Sequence, residues 1–293
     1  MIPVKTYATS GAFRNALEDR LRRMAEIEQV DLNRLRRQVS FDRLLARLFQ
    51  SEAAPWALKG GYALELRLKT ARATVDIDLA LQSGVLPHTD EGTTNQIVRE
   101  ALQQAASTPL GDWFAYSIGL PVVDLDAAPY GGARYPVEAR MDARIFARFH
   151  LDVGIGDPVM EPLETVEGRD WLQFAGIASP PFRTIPQEQQ FAEKLHAYTL
   201  PRSTPNSRVK DLIDLLLLIR SGRLEKKRIA EAVRVTFERR KTHQLPSVLS
   251  GPPLGWGKQF SELAAECKVS GDMQEAFAKV QAFFGLMASD WQK

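Results

Sequence analysis

From Val137 to Ile155 apolar side chains recur at every second position, with Val137, Met141, Phe149, Leu151 and Val153 on one side. Glu138, Arg140, Arg148, His150 and Asp152 alternate with them. A period of two belongs to a half-buried β-strand and to no helix. Nineteen positions are too many for one strand. The pattern therefore predicts two strands joined by a turn near Asp142–Arg144, the second stopped by Gly154, Gly156 and Pro158. Long helical stripes flank this hairpin in the sequence, so the chain mixes sheet and helix.

Helical periodicity is predicted from Ser10, as a cap, through Phe13, Leu17, Leu21 and Met24, and again from Leu32 to Phe49. Trp56-Ala57-Leu58 reads as a short apolar strand, Tyr62 to Leu68 as a helix and Thr74 to Leu81 as a strand. Residues 93–106 predict a helix, and a strand is expected around Tyr116–Val123. Pro129-Tyr130-Gly131-Gly132 reads as a loop. Residues 160–186 are rich in Pro and Gly and show little periodicity. Beyond Pro186 four helices are expected: one carrying Phe191, Leu195 and Tyr198, then Val209–Arg220 with Gly222 as its stop, Leu224–Lys241, and Gly271–Ala288. The expected division is 1–185, an α/β part with N-terminal helices, and 186–293, a helical part.

A chain of 293 residues has room for both parts. Hydrophobic residues at 44% and charged residues at 25% exclude disorder as the main state. The single cysteine, Cys267, excludes a disulfide framework and a multi-cysteine zinc site, and fits a reducing cytoplasm. Neither a secretory leader nor a run of roughly 20 apolar residues is present, so no membrane partner is expected. Net charge is only +2, yet residues 181–260 hold fifteen Lys/Arg against seven Asp/Glu. That asymmetry can mark a surface for a polyanion, or merely well-solvated helix faces.

The chemistry lies in acids and glycines. Asp76 and Asp78, two apart on an expected strand, share a face roughly 6.5–7 Å apart. Carboxylates so placed suit hard cations such as Mg²⁺, which prefers a few carboxylates plus substrate phosphates. A third acid on a neighbouring strand would complete a two-metal arrangement, and Asp152 is the best candidate. Asp142 reads as a turn residue. Gly60-Gly61 opens a helix after an apolar strand, where free N–H groups can hold phosphate. Alone, the acids could be solvated edge residues and the glycines a tight turn. Together, in this order, they point to a phosphate cradle beside a metal site. Val123-Asp124-Leu125-Asp126 repeats the acid spacing without an upstream glycine pair and is disfavoured. His150 and His196 have no partner at helical spacing and are read as non-catalytic.

Leu58-Lys59-Gly60-Gly61-Tyr62-Ala63-Leu64 followed by Arg72-Ala73-Thr74-Val75-Asp76-Ile77-Asp78-Leu79 resembles the AbiEii/AbiGii nucleotidyltransferase toxin family. That family includes the MenT toxins and belongs to the DNA polymerase β-like nucleotidyltransferase superfamily, whose signature is a Gly-Gly or Gly-Ser pair and then two acids alternating with apolar residues. Leu151-Asp152-Val153-Gly154-Ile155-Gly156-Asp157 resembles its third-carboxylate strand. Glu193-Lys194-Leu195-His196-Ala197 and Arg208-Val209-Lys210-Asp211-Leu212-Ile213-Asp214-Leu215 resemble its helical motifs. The likeness spans about residues 55–220. One departure is the spacing: fourteen residues lie between Gly61 and Asp76, slightly more than usual in the superfamily.

The resemblance implies a polymerase β-like domain with a mixed sheet, then a helical C-terminal domain. It implies Mg²⁺ or Mn²⁺ on Asp76, Asp78 and Asp152, with Lys194 and Asp211 as further catalytic residues. Lys59, Gly60, Gly61, Arg72, Thr74 and Lys210 would bind the nucleoside triphosphate; Arg72 could equally be structural, and Asp214 could pair with Lys210 one helical turn away. The implied activity is that of a toxin of a toxin–antitoxin pair, acting in phage defence or growth arrest, which adds a nucleotide to RNA, foremost the tRNA 3′ end, and blocks translation. A cognate antitoxin, in many systems a winged-helix protein, would be its partner. Two alternatives stay open at this point: a nucleotidyltransferase for a small molecule such as an aminoglycoside, and a nucleotide- or RNA-binding module without catalysis. The basic segment argues against the first, the intact acids against the second.

Overall fold

A computed structural model of the chain describes residues 6–68, 70–82, 91–124, 131–201 and 208–291. Helices α1 (Ser10–Glu28) and α2 (Leu32–Leu48) come first. Thr9, not Ser10, caps α1 by accepting from Ala12 N, and Asp31 caps α2 through Arg34 N. Then follow β1 (Trp56–Lys59), α3 (Gly60–Arg67), β2 (Ile77–Leu81), α4 (Glu91–Ala106), β3 (Ala115–Ile118) and β4 (Val123–Asp124). The hairpin of β5 (Gly132–Met141) and β6 (Arg144–Ile155) precedes β7 (Glu164–Glu167) and β8 (Pro181–Thr184). Helices α5 (Gln187–Thr199), α6 (Val209–Arg220), α7 (Lys226–Arg240), α8 (Gly257–Glu266) and α9 (Met273–Trp291) complete the chain.

The strands form one mixed sheet in the order β3-β5-β6-β2-β1-β8-β7, with β4 also beside β5. The β2–β6 and β1–β8 pairs are parallel and the others antiparallel. The hairpin expected from the alternation is there. Its turn is Asp142-Ala143, both at φ 55°, the left-handed pair that matches the twist of a two-residue connection.

Several expectations need correction. The strand expected from Thr74 begins only at Ile77, so Asp76 sits at a bend before it. Its partner β1 is four residues long and ends at Lys59, opposite Asp78. The strand expected around Tyr116–Val123 is two strands, β3 and β4, because Pro121 between them has no N–H for a ladder. The stretch 160–186 does contain strands, β7 and β8, each four residues long and too short to show a period. Helix α8, after Pro252-Pro253, was not expected. The last helix starts at Met273 rather than Gly271, where Asp272 accepts from Gln274 N and Glu275 N. Of the Pro129–Gly132 loop, residues 129–130 lie outside the described residues.

Among the described residues two large apolar cores result, with a small third cluster of Ala57, Ala80 and Ile185. One joins α1, α2 and α4 to the sheet through Phe13, Leu17, Phe41, Leu58, Ile77, Tyr135 and Leu151. Phe41 stands edge-on to Tyr62 at 4.9 Å and to Phe149 at 4.7 Å, locking α2 to α3 and β6. The other gathers α5–α9 and also takes Leu64 and Ala71 from the segment between β1 and β2. That segment is thus gripped from both sides, and it carries the glycines and leads into the acids. Among the described residues no helix is long and apolar enough to cross a membrane.

Candidate active site

Lys59 ends β1, and the chain turns into α3 through Gly60 at φ 65°. A side chain there meets two obstacles. The backbone is left-handed, and a Cβ would lie 2.0 Å from Asp78 Oδ2. At Gly61 a Cβ would lie 2.7 Å from Thr74 Oγ1. The glycine turn is therefore pressed directly against the acidic strand. Gln190 Nε2 on α5 donates to Gly60 O at 2.6 Å and holds the turn from the other side. No side chain caps the start of α3, which leaves its first N–H groups for an anion.

Register brings the acids together. Asp78 on β2 is the direct neighbour of Asp152 on the parallel strand β6. Asp76 lies at the bend, where its Oδ1 accepts from His150 N at 3.3 Å and meets His150 Nδ1 at 3.2 Å. Burial pushes the Asp78 carboxyl up to about 6, and the neighbouring Asp152 adds to the rise. Lys194 and Lys59 work the other way on it.

Arg134 on β5, opposite Asp152 in register, answers this negative charge. Its Nε and Nη2 donate to the two Asp152 oxygens at 2.8 and 2.7 Å. Nη2 also lies 3.6 Å from Asp76 Oδ2. Among the described residues no three His, Cys, Asp or Glu side chains are drawn together in a metal-binding arrangement. Here the guanidinium sits between two of the expected ligands. The donor set still suits a divalent cation: it offers carboxylate oxygens only, and burial, with Asp152 beside it, holds Asp78 against ionisation.

The helical residues form a buried network. Lys194 Nζ on α5 meets Asp214 Oδ2 at 2.8 Å and Asp211 Oδ1 at 3.0 Å on α6. Arg72, just before the acidic strand, forks onto both Asp214 oxygens at 3.0 and 2.8 Å. Burial alone would lower the Lys194 pKa, but Asp214 and Asp211 hold it above the ordinary lysine value. Asp211 Oδ2 is buried without a hydrogen-bond partner. The alternative pairing of Asp214 with Lys210 does not occur: Asp214 is fully buried against Lys194 and Arg72, while Lys210 is exposed. Lys59 is engaged as well. Its Nζ lies 2.7 Å from Asp157 and 3.5 Å from Glu193, and Arg240 on α7 shares both acids.

The acids and both glycines thus converge with Thr74, while Lys194 on α5 and Asp211 and Asp214 on α6 form one network with Arg72, just before the acidic strand. Lys210 stays outside that network. The disfavoured pair is apart from it too: Asp124 pairs with Ala133 beyond β5, and Asp126 lies outside the described residues. Asp142 is in the hairpin turn. His196 packs on Phe237 and meets Thr242 Oγ1 at 2.8 Å, and burial with nearby Arg240 pushes it down to about 3, so it stays neutral.

Sequence reasoning missed Arg134, Gln190 and the Arg34–Glu65–Glu266 braces. Glu65 accepts from Thr74 N at 3.3 Å and Glu266 from Ala73 N at 2.7 Å, and Arg34 links the two acids. Cross-strand register would have exposed Arg134, since it falls opposite Asp152 once the turn is placed at Asp142-Ala143.

None of the curated proteins matches the chain. Among solved structures, MenT4, a nucleotidyltransferase toxin of Mycobacterium tuberculosis H37Rv, matches with a TM-score of 0.52 at 16% identity over 89% of this chain and 92% of that one. JHP933 from Helicobacter pylori matches with a TM-score of 0.47 at 14% identity, over 88% and 93% of the two chains. The first likeness shows a shared fold. The family model described as nucleotidyl transferase AbiEii toxin, type IV toxin–antitoxin system, matches residues 43–291. That match takes in the glycine turn, all three acids and the helical network, and the chain belongs to the AbiEii nucleotidyltransferase toxin family.

Proposed function

We propose that this toxin transfers a nucleoside monophosphate from a nucleoside triphosphate to an RNA hydroxyl, foremost the 3′ end of tRNA, and so blocks translation. The observation that carries the reading is the meeting of Asp76, Asp78 and Asp152 beside the Gly60 turn. Asp76, Asp78 and Asp152 would hold Mg²⁺ or Mn²⁺, which supplies charge neutralisation at the phosphates and a more acidic attacking hydroxyl. The Gly60-Gly61 turn offers N–H groups to the triphosphate, and Thr74 lines it. Lys194, held charged by Asp211 and Asp214, adds a fixed positive field. Asp211 offers an oxygen that accepts no hydrogen bond and lies 3.8 Å from Arg208 as an acceptor at the same network. Lys59 and Arg72 act by position, since both are already paired with acids.

RNA as acceptor rests on the basic segment, which the structure divides. Lys194 and Arg240 neutralise buried acids. Arg220, Arg223, Lys227, Lys241 and Lys258 are exposed and present charge to a polyanion. Family membership implies an antitoxin partner, and regulation by it would serve phage defence or growth arrest. The test uses purified protein, Mg²⁺, total tRNA and each radiolabelled nucleoside triphosphate in turn, with Asp78→Asn as control. Label in RNA with the wild type alone supports the reading and names the nucleotide. Label in a small molecule or protein instead, from the same extract, would replace the acceptor and keep the chemistry.

A further inference from the structure

Arg134 is a cation placed where the proposed reaction needs a different one. Its guanidinium spans Asp152, at 2.7 and 2.8 Å, and Asp76, at 3.6 Å. Those are two of the three carboxylates that would hold the divalent ion. A guanidinium and a divalent cation cannot share them, because like charges a few ångströms apart repel strongly in a partly desolvated site. Arg134 is also free to leave. A third of its side chain is exposed, and the β5–β6 ladder around it is made of backbone bonds. An arginine leaving these acids stays in the field of Asp78, against which the glycine turn is pressed, and its planar fork fits phosphate oxygens as well as carboxylate.

The geometry points to Arg134 as an exchangeable counter-ion, which holds the acids in register without metal and moves to the nucleotide's phosphates when the divalent cation takes its place. The inference rests on the metal site proposed above. It couples the two ligands: the cation binds weakly alone, because it must displace Arg134, and tightly with nucleotide, because the released guanidinium then has a partner. In this role Arg134 positions the acids and the phosphates and takes no part in bond making.

The test is Mn²⁺ titration of the full chain, read from the spectrum of free Mn²⁺ by electron paramagnetic resonance. It is done with and without a non-hydrolysable ATP analogue. Arg134→Gln is expected to bind Mn²⁺ about two- to fivefold more tightly than wild type when nucleotide is absent, the range expected for a partly exposed ion pair with good geometry. The analogue should then tighten Mn²⁺ in the variant by a factor smaller to the same degree. Arg134→Lys keeps the charge without the fork and should fall between, and it carries the comparison if Arg134→Gln does not fold. Equal Mn²⁺ affinity in wild type and variants, with binding lost in Asp78→Asn, overturns the role of Arg134 and leaves the metal site standing. Unchanged binding in Asp78→Asn overturns the metal site and this inference with it.

Discussion

Asp42 on α2 and Asp78 on β2 are both pushed up to about 6, chiefly by burial. Their surroundings differ completely. Asp42 is fully buried and accepts from Tyr62 Oη at 2.6 Å, Trp171 Nε1 at 2.7 Å and Arg169 N at 2.8 Å. Donors fixed by the fold surround it, and it ties α2 to α3 and to the loop after β7. Asp78 is partly open to solvent, faces Asp152, and has a glycine turn against its oxygens where a donor could have been. The same raised acidity therefore has two meanings. One acid is completed by the protein, and the other is left for a ligand to complete.

The comparison is most easily broken at Asp78. Asp78→Asn should lower nucleotidyl transfer about a thousandfold, in line with losing a charge aimed at the reacting phosphates, while the protein stays folded. Asp42→Ala should do the reverse: three donors, two of them buried, lose their acceptor, stability falls by about 3 kcal/mol in urea unfolding, and the folded fraction keeps its activity. If Asp42→Ala abolished transfer in a well-folded protein, the contrast would collapse. Gly60→Ala sharpens it further. A left-handed alanine costs roughly 1–2 kcal/mol, and its Cβ would displace Asp78, so transfer should fall about a hundredfold with only this modest loss of stability.

The smallest effect is on pH dependence. Both acids have folded pKa values above their unfolded ones, so between about pH 4 and pH 6 the native state holds more protons. Without metal, the contribution of these two acids should therefore fall as pH rises through that window and level off above it, by roughly 1–2 kcal/mol for Asp42 and less for Asp78, which solvent reaches. His196, held down to about 3, contributes the opposite slope over the same window, so the acids' share is read as the difference from their Asn variants. Asn at either position should remove that residue's share of the slope in urea midpoints. Asp157 does not confuse the result: burial would raise it, but Lys59 and Arg240 hold it down to about 2, and its contribution is lost only below about pH 4.

Much of this was legible in the residues. The hairpin announced itself because both its strands are long and one face is buried, so the period of two survives from Val137 to Val153. The glycine turn and Asp78 were legible because strand, turn and strand are close in sequence. The strand holding Asp76 was drawn too long, since the apolar alternation runs through Val75, which is half exposed. Strands β7 and β8 were invisible because four residues carry no period. The partners of Asp214 could not be read from spacing at all. A helical neighbour such as Lys210 is visible in sequence, whereas Arg72 is 142 positions away and arrives only through tertiary packing.

That last distance has a consequence for how the cell makes such a protein. The acidic strand, its bracing arginine and the acids that hold it enter the chain at residues 78, 72 and 211–214. A ribosome translating this toxin has exposed Asp76, Asp78 and Asp152 long before α6 leaves the exit tunnel. Until then Arg72 and Lys194 have no acid to hold them, and contacts this far apart form late. By topology, then, the bracing around the acidic strand stays incomplete on a nascent chain until α6 has emerged.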